Sequence, residues 1–103
     1  MALQKADILG ILQTNYKNAS ALMPSDLAAE FQNKILTPDL LQEYAEKIYV
    51  AIQFRDELGA IRIENWLVER FMKGGFSKKL TQNGIDPVKV YETLLDGFFD
   101  YRK

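Results

Sequence analysis

A chain of 103 residues, 48% of them apolar or aromatic, has the size of one globular domain, and it is expected to fold as a single helical domain over residues 1–103. Its 13 basic against 14 acidic side chains leave a formal charge of -1, which excludes the broad positive field of a dedicated nucleic-acid binder and confines any basic surface to a local patch. With no cysteine and no histidine, disulfides, thiolate metal sites and the commonest neutral-pH acid/base group are excluded as well.

Residues 1–10 lack both the basic start and the apolar run of a signal peptide, and no later stretch approaches the ~20 uncharged apolar residues of a membrane span. A soluble, cytoplasmic chain with no membrane partner is therefore expected. Asn18, Ala19 and Ser20 spell a glycosylation sequon, which in such a chain reads as a polar helix end.

Leu9, Leu12, Tyr16, Ala19 and Met23 recur at spacings of three and four, with Ile8 and Ile11 widening the stripe, so a first amphipathic helix is expected from Leu3 to Leu22. Pro24, Ser25 and Asp26 then open a second helix, in which Leu27, Phe31 and Ile35 repeat every fourth residue up to Leu36. Thr37, Pro38 and Asp39 form the clearest start signal in the chain: threonine can cap free backbone amides, and proline costs nothing at the first helical position.

The third helix, which the rest of the chain is arranged around, places Leu40, Leu41, Tyr44, Ala45, Ile48, Ala51 and Ile52 on one core-facing arc. Val50 and Phe54 fall outside that arc. Past Gly59 the apolar residues Ile63, Leu67, Val68 and Phe71 shift almost to the opposite side. Either Gly59 ends or kinks the helix, or one long helix continues to Lys73 and carries Val50, Phe54, Ile61, Val68 and Met72 as a second seam. Asn65 lies beside that seam, where a lone polar group can fix register.

Gly74 and Gly75 end this region. A short helix is expected over Ser77 to Gln82, closed by Asn83 and Gly84. Asp86 and Pro87 repeat the start signal, and Val88, Tyr91, Leu95 and Phe98, with Val90, Leu94 and Tyr101 alongside, describe a last helix running close to the C-terminus. The fold class is all-α, a four- or five-helix antiparallel bundle with a long central helix, kinked or broken at Gly59 in one of the two readings.

The segment Phe76 to Leu95 resembles the helix-turn-helix of DNA-binding regulators, with Gly84 as the turn glycine and Val90 and Leu94 as spaced aliphatics. It departs from that pattern at Leu80, where a small residue is usual, and at Asn83, where an aliphatic is usual. The would-be recognition helix also carries the acidic row Glu92, Asp96 and Asp100, which phosphates would repel. Arg70, Lys73, Lys78 and Lys79 make the only basic cluster, interleaved with Phe71 and Phe76. A nucleic-acid surface, the alternative function, would use Lys73, Lys78, Lys79 and Lys89. The acidic row has no calcium-loop spacing, no glycine-rich turn suits a cofactor, and there is no nucleophile elbow. No cofactor, metal or catalytic residue is therefore assigned, and the chain is expected not to be an enzyme.

Phe98 and Phe99 are adjacent and cannot both face inward from one helix, so Phe99 joins Val50, Phe54, Ile61, Val68 and Met72 as a candidate interface residue. The leading expectation is a protein interaction module, a small accessory, adaptor or inhibitor protein, that binds a protein partner or itself as a homodimer.

Overall fold

Side-chain caps and glycines set where the helices begin and end. The computed structural model describes residues 4–53 and 57–98, the side chains of residues 57–60 excepted. Helix α1 (Lys5–Ser20) starts where the Asp7 carboxylate accepts the backbone N–H of Gln4 at 3.1 Å. Helix α2 (Ser25–Glu30) follows Pro24 and runs into a π-helical turn, Phe31–Ile35, closed by the Leu36 N–H donating to the Phe31 carbonyl at 2.8 Å. Thr37 caps α3 (Pro38–Gln53) as its sequence implies, its hydroxyl accepting the Leu40 N–H at 3.3 Å. Helix α4 (Glu57–Met72) passes through a short 3₁₀ turn into α5 (Phe76–Gln82). Gly74 and Gly75 make that turn at φ 62° and 69°, a region that side-chain-bearing residues avoid. Asp86 caps α6 (Pro87–Leu94), accepting the Val88 N–H at 3.0 Å. The protein is an all-α bundle with no strand among the described residues.

Helix α1 packs on α3 and α6, α3 on α4, and α4 on α5. The helices meet at an aromatic cluster. The Phe71 ring lies 5.7 Å from Phe31, 5.5 Å from Phe76 and 4.9 Å from Tyr91, each edge to face, and Tyr16 completes the set 5.2 Å from Phe31. Phe31, Phe71 and Phe76 are fully buried. Such pairs contribute about 0.5–1.5 kcal/mol each beyond the area they remove from water.

The Thr37 to Lys73 segment is central, and it is folded back on itself. Tyr44 and Trp66 stack with ring centroids 4.7 Å apart, whereas 22 residues of unbroken helix would hold them about 33 Å apart. The continuous-helix reading is therefore corrected to a helical hairpin. Helix α3 is described to Gln53 and α4 from Glu57, so Gly59 lies inside α4 and does not end the first arm. The stacked pair, Tyr44 buried and Trp66 half-buried, joins the two arms.

Two further expectations are corrected. The buried stripe of α1 is Ile8, Leu12, Asn15 and Ala19, with Leu9 and Tyr16 only half-buried. The last helix ends at Leu94 instead of running on through Phe98, and its buried stripe is Val90, Tyr91 and Leu94, leaving Val88 exposed. Asn15 explains both shifts. Its side-chain amide donates to the carbonyls of Leu94 at 3.0 Å and of Asp96 at 2.9 Å, supplying the partners that the end of α6 needs. Gly97, at φ 90°, then turns the chain away.

Replacing Asn15 by leucine keeps the branched outline of the side chain but removes both donors, and should lower stability by about 2–3 kcal/mol in urea unfolding with an unchanged denaturant slope. Alkaline titration tests the aromatic cluster. Burial raises the pKa of Tyr16 and of Tyr91 above the ordinary 10.0, and the Tyr16 hydroxyl donates to the Leu36 carbonyl at 2.6 Å. Because the folded state holds these phenols neutral, their contribution is complete below about pH 10 and is lost as pH rises through the folded values. Stability should therefore fall above pH 10, and Tyr16→Phe should flatten that fall.

Candidate interaction surfaces on the helical hairpin

The residues singled out by sequence separate onto two sides of the α3–α4 hairpin. On α3, Leu41, Ala45 and Ile48 face the core, and at 100° per residue Val50 stands opposite them. It is 52% exposed and lines a groove of about 710 Å³ between the two helices, with Ala51, Ile63 and Trp66 as its apolar companions. Glu43, Glu46, Lys47, Arg62, Asn65 and Glu69 ring that groove, Asn65 at its border with the outer face of α4. The Lys47 ammonium sits 6.0 Å from the centre of the Trp66 ring, at the limit of a cation–π contact.

The second side belongs to α4 alone. Ile63, Leu67 and Phe71 are at most 3% exposed and fix which way the helix faces. Ile61, Asn65, Val68 and Met72 fall within an arc of about 60°, centred about 130° from that buried line. Ile61 is 52% exposed and Met72 68%, while Val68 is half-buried against the edge of the core. The seam expected along one continuous helix is thus divided: Ile61, Val68 and Met72 share a face, and Val50 lies in the groove. Phe54 and Phe99 lie outside the described residues.

The basic cluster is partly committed to the fold. The Arg70 guanidinium donates to the Ile35 carbonyl at 2.8 Å and the Lys34 carbonyl at 3.0 Å, capping the π-helical turn from across the bundle. Lys79 bridges both carboxylate oxygens of Glu30, at 3.0 and 3.1 Å. Lys73 and Lys78 are exposed, and Lys89 lies on α6 beside Asn18, Glu92 and Asp96 in a separate polar depression. Nothing in the local sequence marks Arg70 or Lys79 as structural, because their partners stand 35 to 49 residues away.

Between α1 and α3, the Lys5 ammonium meets the Glu46 carboxylate at 2.8 Å, a hydrogen bond that lowers the pKa of Glu46 and raises that of Lys5. Both groups are solvated, so the pair orients a rim more than it stabilises the fold. The helix-turn-helix likeness is met in connectivity, with Gly84 at φ 76°. The buried stripe of α6, however, packs on α1 and, through Tyr91, on Phe71 of α4. Among the described residues, no three metal-ligating side chains converge and no helix is long and apolar enough to cross a membrane.

No family model matches this chain, and neither the curated proteins nor the solved structures give a match.

Committed and uncommitted cations should separate in a stability measurement. Arg70→Ala leaves two helix-end carbonyls without their charged donor and should cost about 1.5–3 kcal/mol in urea unfolding. Lys73→Gln with Lys78→Gln should stay within about 0.5 kcal/mol of the parent.

Proposed function

We propose that this protein is a non-enzymatic, cytoplasmic interaction module that self-associates as a homodimer through the outer face of α4. The observation that carries the reading is one-sided exposure. Ile61 and Met72, at 52% and 68%, stand on the same side of a helix whose other side is nearly sealed from water. Large apolar side chains aligned on one helix face, with Val68 between them, are what a partner surface can remove from water. The face offers methyl groups, a thioether and one amide, so its chemistry is that of packing. This suits a small accessory or adaptor protein. Phosphate binding is the weaker reading, since Arg70 and Lys79 are engaged with the protein's own carbonyls and carboxylate.

Light scattering behind size exclusion checks the proposal. The wild type should elute with the mass of two chains at high concentration and dissociate on dilution. Ile61→Asp with Met72→Asp should be monomeric, with unfolding stability within about 1 kcal/mol of the parent because both sites are exposed. Val50→Asp should leave the dimer intact. A wild type that stays monomeric at millimolar concentration contradicts the reading.

A further inference from the structure

We infer that the occupant of the outer face of α4 is a second copy of the same helix laid antiparallel across a two-fold axis, with Arg62 of each chain paired to Glu69 of the other. This rests on the reading of that face as an interaction surface and adds its partner, direction and register.

The spacing of the face comes first. Ile61, Asn65, Val68 and Met72 are separated by four, three and four residues, an order that reads the same from either end. A two-fold axis perpendicular to the helix therefore sets Ile61 against Met72 of the second copy, and Asn65 against Val68, with the same contacts repeated in reverse. The two Asn65 side chains fall on opposite sides of the axis, offset by about 4.5 Å along the helix, near enough to share a hydrogen bond.

The charges choose the direction. Arg62 and Glu69 flank the face on one edge, and Glu64 flanks it on the other. An antiparallel pair brings like edges together, so Arg62 meets Glu69 of the second copy twice over. A parallel pair brings unlike edges together and sets Glu64 against Glu69, a like-charge contact formed twice. Asn65 finds its own copy in either direction, so the flanking charges decide between them. Neither Arg62 nor Glu69 has an ion pair among the described residues. Both also reach the rim of the α3–α4 groove, which shows that their side of α4 is open.

One helix pair of this length buries less than about 1,200 Å², the low end of specific interfaces, so the dimer forms and dissociates with concentration.

The cysteine-free sequence makes the test direct. In the variant Ile61→Cys with Met72→Cys, the two thiols of one chain are about 16 Å apart along the helix and cannot join to each other. Mild oxidation should give a covalent dimer on a non-reducing gel, while Ile61→Cys alone and Met72→Cys alone should remain monomeric there. Arg62→Glu alone and Glu69→Arg alone should each weaken the dimer at least tenfold. Combining them should bring the dissociation constant back to within threefold of the wild type. Cross-linking by Ile61→Cys alone, or no recovery in the combined charge variant, overturns the antiparallel pairing while leaving self-association in place. A wild type that never dimerises overturns both.

Discussion

Phe71 is the contact on which the rest of the arrangement depends. Its ring is met edge to face by Phe31, Phe76 and Tyr91, which come from the π-helical turn, α5 and α6. Three separate elements are thereby held to one residue near the end of α4. Once Phe71 is sealed, together with Leu67 and Ile63 below it, the rotation of α4 about its own axis is no longer free. Met72 and Val68, each within 100° of Phe71 around the helix, are carried toward the outside, and Ile61 follows by periodicity. The exposed apolar face is in this sense a consequence of the core.

Carbonyls near helix C-terminal ends in this protein draw donors from across the bundle, whereas Thr37 and Asp86 cap their own helices locally. Asn15 on α1 supplies the carbonyls at the end of α6. Arg70 on α4 and Tyr16 on α1 supply three consecutive carbonyls after α2, those of Lys34, Ile35 and Leu36. The π-helical turn over Phe31–Ile35 is compatible with this, since its loosened ladder presents carbonyls that outside donors can reach. The same contacts decide what the polar residues can do elsewhere. A guanidinium spent on two backbone oxygens is not available to a phosphate, and a lysine held by Glu30 contributes little field.

Signals that act over three or four residues were legible in the sequence. Thr37 and Asp86 cap their helices, Gly74 and Gly75 turn the chain, and the arc of Leu41, Tyr44, Ala45, Ile48 and Ala51 is buried as its spacing implies. What depends on distant partners was not. The hairpin reversal is secured by Tyr44 on Trp66, a pair far apart in sequence, whereas Gly59, which the local pattern marks, lies inside α4. Asn15 sits on the buried stripe with Ile8 and Leu12, but only α6, 79 residues further on, gives it a role. Of the expected seam, Ile61 and Met72 are exposed on one face of α4, whereas Val50 would share that face only along an unbroken helix.

The central claim is that one face of α4, turned outward by Phe71, is where a second copy binds. Methyl nuclear magnetic resonance spectra recorded over a dilution series report on it residue by residue. The account predicts that signals from Ile61, Val68 and Met72 move together with concentration while those of Ile63, Leu67 and Val50 stay in place. Concentration-dependent shifts centred on Val50 and the groove, with Ile61 and Met72 unmoved, would contradict it.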